Sequence, residues 1–215
     1  MHPPHSLHPE EVWNALTHGV GALASLVAGA VLITLAALWG DGWQLASAIV
    51  FVATLSLLYI ASTLYHAARH ERLKQRLKIL DHCAIFLLIA GTYTPFTLLG
   101  LRDSWGWTLF VLIWVLAVLG IVFKLFFTGR FRRLSTLMYV AMGWLAVVAI
   151  GPMREALPTN TLVWLFAGGL AYTVGTLFYH RDSLPYSHAV WHGFVLAGSS
   201  FHFVAVSTQV LAQTY

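Results

Sequence analysis

Asp, Glu, Lys and Arg are absent from seven long stretches of the chain: His18–Leu38, Trp43–Tyr65, His82–Leu101, Trp105–Phe123, Leu134–Met153, Ala156–Tyr179 and Leu184–Thr208. Each is long enough to cross a hydrocarbon core of about 30 Å, which takes about 20 helical residues. Between them lie short polar segments with turn residues, such as Gly40-Asp41-Gly42 and Arg102-Asp103-Ser104. Trp39, Trp43, Trp105 and Trp107 cluster near span ends, as in an interfacial aromatic belt. Connections this short make sequential helices antiparallel neighbours. The pattern therefore predicts an all-α polytopic membrane protein. Its seven-transmembrane helix bundle covers residues 18–210, behind an N-terminal cytoplasmic segment, 1–17.

Composition agrees. Hydrophobic residues make up 59% of the 215 and charged residues 9%, with a mean hydropathy of +0.75. Soluble domains usually carry about 25% charged residues, so this chain cannot cover a water-facing surface. Cys83 is the sole cysteine, which excludes an intramolecular disulfide and a cysteine-cluster zinc site. The first sixteen residues hold no Lys or Arg, so the first span reads as a retained helix rather than a cleaved signal peptide.

The net charge of +4 suggests a nucleic-acid partner until its placement is examined. Arg69, Arg72, Lys74, Arg76 and Lys78 follow span two, Lys124, Arg130, Arg132 and Arg133 follow span four, and Arg181 follows span six. Only Arg102 and Arg154 fall on the other side. This asymmetry predicts a cytoplasmic N-terminus and an outside C-terminus, with no role for nucleic acid. The loop from Arg69 to Lys78 carries Leu73, Leu77 and Leu80 at helical spacing. It reads either as a segment lying on anionic lipid or as a solvated topology signal.

Histidine is the anomaly. Of eleven, His2, His5 and His8 sit in a Pro-rich, disordered-looking stretch, and the others fall at span ends or inside spans. Ionisable groups there are costly and point to function. His188 and His192 are four residues apart and share a helix face, so both can reach one metal ion. Ala189, Val190 and Trp191 separate them; with no glutamate between, a zincin protease is excluded. The plainer reading is a pair of hydrogen-bonded interior histidines.

His66 closes span two, one turn after Ser62, and Asp81 opens span three. Alternating topology puts His66, Asp81, His188 and His192 at similar depth on one side. Three neutral imidazoles with an open fourth position match a catalytic zinc site. Asp81 can then hold and deprotonate a water without ligating, since bound zinc brings the water's pKa to about 7. Ser62 either orients His66, donates to an oxyanion, or is a small packing residue. His18 and His180 can line the mouth of the site. His202, deeper in span seven, reads as an interhelical hydrogen-bonding residue, and Pro95 should kink span three with help from nearby threonines.

The segments Ala61-Ser62-Thr63-Leu64-Tyr65-His66, Leu80-Asp81-His82, Gly91-Thr92-Tyr93-Thr94-Pro95-Phe96 and Ser187-His188-Ala189-Val190-Trp191-His192, with Asn14-Ala15-Leu16-Thr17-His18-Gly19, resemble the haemolysin III branch of the progestin and adipoQ receptor family. The resemblance implies seven helices with the N-terminus inside. It also implies a zinc site near the cytoplasmic face with His66, His188 and His192 as ligands and Asp81 and Ser62 beside them. All five residues are present. It further implies a hydrolase of lipid amides or esters, acting in membrane lipid homeostasis with lipids as partners, in a bacterial inner membrane. The chain lacks the long N-terminal region of the eukaryotic receptors, so hormone reception is not implied. Three alternatives stand beside this one: a membrane-state sensor stapled by structural zinc, bis-histidine haem ligation, and the pore-former of the family name. A compact bundle without a charged lining makes a poor pore.

Overall fold

In the computed structural model, which describes residues 9–212, each of the seven charge-free stretches is mostly helical, and among the described residues no strand occurs. The helices are α1 (Pro9–Trp39), α2 (Gly42–Ala67), α3 (Glu71–Pro95), α4 (Trp107–Phe127), α5 (Arg132–Gly143), α6 (Ile150–Ala156), α7 (Thr159–Tyr179) and α8 (Ser187–Val210). Seven spans are long and apolar enough to cross a membrane; α5 and α6 together make the fifth. His2, His5 and His8 lie outside the described residues.

The helices run past the ends of the charge-free stretches. α1 starts nine residues before His18, so the stretch read as a segment ahead of the first span supplies two helical turns from Pro9 onward. From Glu71 the basic segment Arg69–Lys78 is helical, the opening turns of α3 rather than a loop. Lys124 is a second correction. Read as a loop charge, it sits in the last turn of α4, 2% exposed, with its Nζ donating to Ser135 Oγ at 2.7 Å. At the other end, the Asp41 side chain accepts from the amides of Trp43 and Gln44 to start α2, and Gln44 Nε2 donates to the carbonyls of Val210 and Ala212 at the end of α8.

α2 is the central helix. It packs on α1 and α3 along its length and touches α8, while α8 packs on α7 and α1 and closes the bundle. Phe51, Leu55, Leu58 and Tyr59 from α2 meet Leu32 of α1, Leu88 of α3 and Val195 of α8 in the core. In lipid the interhelical force is close packing rather than water exclusion, so small residues mark the contacts. At Gly21 a Cβ would stand 2.6 Å from the Tyr59 ring, so only glycine lets α1 come this close to α2. Val20, Leu23, Val27 and Val31 face outward on α1, as lipid-exposed positions should.

Two spans are irregular. α3 passes at Pro95 into a wider turn, Phe96–Gly100. Thr94 and Thr97 hydroxyls donate to the carbonyls of Ala90 and Tyr93 around that point. The fifth span, read as one continuous helix, breaks at Gly143–Trp144 into a 3-10 segment, Leu145–Ala149. The Tyr93 hydroxyl lies 2.9 and 3.0 Å from the carbonyls of Met142 and Gly143 and accepts from the amide of Ala146 at 2.8 Å. One tyrosine from α3 thus satisfies backbone groups that the break would leave bare at membrane depth.

Candidate metal centre

The end of the bundle that carries most of the Lys and Arg also gathers the histidines. His66 lies in the last turn of α2, four residues after Ser62, and His188 and His192 occupy the first two turns of α8. One ring nitrogen from each of the three lies within 4.8 Å of those of the other two. Ring centroids are 5.1 Å apart for His66 and His188, 5.0 Å for His66 and His192, and 4.7 Å for His188 and His192. His66 and His192 are buried and His188 is half-buried. Among the described residues this is the only such cluster, and no fourth His, Cys, Asp or Glu completes it.

The outer hydrogen bonds sort the ring nitrogens. His66 Nδ1 lies 3.0 Å from Glu11 Oε2, while its Nε2 is buried with no hydrogen-bond partner. His192 Nδ1 lies 3.2 Å from the Asn14 carbonyl and 3.3 Å from Thr17 Oγ1. A neutral imidazole carries one N–H, and a carboxylate or carbonyl can only accept. Both rings therefore hold their proton on Nδ1 and keep the Nε2 lone pair free. Buried polar atoms normally find a partner, and a metal ion is a fitting one for His66 Nε2. Three imidazoles suit a divalent transition metal.

Ser62 and Asp81 share a wall of the cavity that also receives His188 and His192; its empty space is about 1130 Å³, open mouth included. Ser62 Oγ is buried, and its side chain lies within hydrogen-bonding reach of the Asp81 carboxylate. Asp81 Oδ2 is 3.7 Å from His82 Nδ1, but that nitrogen donates to the Lys78 carbonyl at 2.7 Å, so the carboxylate remains available to the cavity. Asp81 is not one of the clustered ligand positions.

His18 also lines this cavity, stacked on His192 at 3.5 Å between centroids, with both nitrogens buried and unpartnered. His180 does not line it; its Nε2 lies 3.0 Å from Thr136 Oγ1, and burial together with Arg132 and Arg133 lowers its pKa. His202 makes the expected interhelical contact, Nε2 to the Leu165 carbonyl at 3.1 Å.

Sequence reasoning missed the contribution of α1 beyond its Asn14–Gly19 motif. Glu10 Oε1 accepts from the His188 amide at 3.4 Å, a carboxylate at a helix N-terminus as the dipole favours. The signal available was spacing: Glu11, Asn14 and His18 stand at i, i+3 and i+7, one face of a helix.

The chain matches the family described as Haemolysin-III related over residues 7–203. It is 48% identical to the Hemolysin-3 homolog of Bacillus subtilis (strain 168) over 197 residues, 92% of each chain. Identity is also 48% to Hemolysin-3 of Bacillus cereus, over 202 residues covering 94% of this chain and 92% of that one. With the human monocyte to macrophage differentiation factor it shares 27% over 211 residues, 92% of this chain and 83% of the relative.

Proposed function

The chain belongs to the haemolysin-III related family, and from that premise we propose that it is a zinc-dependent hydrolase of lipid amides or esters in a bacterial inner membrane. The observation that carries this reading is the meeting of three imidazoles from α2 and α8, two of which, His188 and His192, line a cavity shared with Asp81 and Ser62.

His66, His188 and His192 would hold the ion, which when bound supplies a Lewis acid and a water acidic enough to react near neutral pH. Asp81 would serve as the base, accepting the proton of an attacking water as that water's oxygen bonds to the acyl carbon. The carbon–nitrogen or carbon–oxygen bond then breaks, and Asp81 returns the proton to the departing amine or alcohol. Ser62 would donate a hydrogen bond from its hydroxyl to the carbonyl oxygen as charge grows there. The bilayer and the buried core keep bulk water from the rest of the chamber. A structural zinc in a sensor would call for a fourth protein ligand, and among the described residues none stands in place.

Purified zinc-loaded protein mixed with N-acyl and O-acyl lipids should release free fatty acid, followed by mass spectrometry, and His188→Ala should release none above background. Equal release by both proteins would remove the enzyme reading.

The site faces the cytoplasm in this proposal, because ten of the twelve Lys and Arg lie on its side and basic residues stay inside. A reporter fused before Met1 should therefore report cytoplasm, and one fused after Tyr215 the outside. Both reporters on one side would mean an even number of crossings and break the common depth of the cluster.

A further inference from the structure

We infer that Glu11 is the positioning carboxylate of the metal centre, holding His66 in the tautomer that offers Nε2 to the ion; the inference rests on the metal reading above. Glu11 Oε2 accepts from His66 Nδ1 at 3.0 Å and from Lys74 Nζ at 2.8 Å, joining α1, α2 and α3 at one atom. The simpler account is an ion pair between Glu11 and a protonated His66. It fails on the other nitrogen, since a protonated ring would carry a second N–H at Nε2, and that atom is buried with no acceptor. A buried donor left unpaired costs about 1–3 kcal/mol. A neutral ring with its proton directed at Glu11 and a metal at Nε2 satisfies both nitrogens.

The same face of α1 repeats the device on a second ligand. The Asn14 carbonyl and Thr17 Oγ1 meet His192 Nδ1, so two of the three imidazoles have their tautomers set by the opening turns of α1. Of the two, Glu11 alone brings negative charge. A carboxylate hydrogen-bonded to a ligating histidine makes that ligand more basic and fixes its ring plane. Lys74, 23% exposed along its side chain, reaches the same carboxylate oxygen from the outer side.

The test uses full-length protein in detergent, with cobalt(II) as the probe because it absorbs in the visible when bound. Glu11→Gln and Glu11→Ala should bind cobalt about 10–100-fold more weakly, the usual loss for such a partner, and their absorption bands should shift. Lys74→Met, which spares the bond to His66, should bind as tightly as wild type with an unchanged spectrum. If Glu11 only ties helices together through Lys74, all three variants lose thermal stability while affinity and spectrum stay at wild-type values, and the inference is overturned. Glu11→Gln keeps the size of the side chain, so the test survives a Glu11→Ala that does not fold. Wild type that takes up no cobalt or zinc would overturn the metal reading itself. That outcome is distinct from wild type and Glu11→Gln binding equally, which removes only the role of Glu11.

Discussion

Alanine at His66, His188 or His192 should each strip most of the zinc from protein that otherwise carries about one ion per chain. The three rings come from two helices and their nitrogens lie within 4.8 Å of one another. Four-ligand structural zinc sites bind with about 10–16 kcal/mol, so one ligand carries roughly 3–4 kcal/mol, and its loss weakens binding a few hundredfold. Elemental analysis after dialysis against a chelator measures this. His202→Ala is the control: it lies on α8 with His188 and His192 and is hydrogen-bonded to Leu165, but it stands outside the cluster and should leave zinc in place. Full zinc in all three cluster variants would end the assignment.

Asp81→Asn should separate chemistry from metal binding. The amide has the size of the carboxylate and cannot take a proton from water. Asp81 stands on the cavity wall and outside the ligand cluster, so zinc content and fold should hold. Lipid hydrolysis should fall by the about 10²–10⁴-fold that follows loss of a general base. His192→Ala run in the same lipid-turnover assay should lose both activity and zinc. Turnover retained in Asp81→Asn would reject Asp81 as the base, whereas no turnover by the wild type would leave zinc as a structural or sensing element.

The spans were legible because the bilayer imposes two strict rules. A crossing helix must be long enough, and it cannot carry exposed charge in the hydrocarbon. Seven uncharged stretches therefore become seven spans, and the alternation of antiparallel helices brings His66, His188 and His192 to one end with no further information. His202 was legible for the same reason, since a polar ring in the middle of a span must find a partner on a neighbour.

The rules that reveal spans say nothing about which side chains from distant spans touch, and there the tertiary structure decided. Glu11 lies outside the charge-free stretch, so a hydropathy reading leaves it in a tail. Only the extension of α1 to Pro9 carries it against His66 and Lys74. Lys124 reads as a loop charge until Ser135 and the ring of Tyr139 are found around it. The break at Gly143–Trp144 is tolerated because Tyr93, fifty residues earlier in the chain, supplies the hydrogen bonds. Sequence alone determined the number of spans and the depth of the histidines, which one-dimensional solvation governs. Packing between helices decided which nitrogen of His66 and of His192 is free and which carboxylate holds His66 in place, because those depend on distances of about 3 Å between residues far apart in the chain.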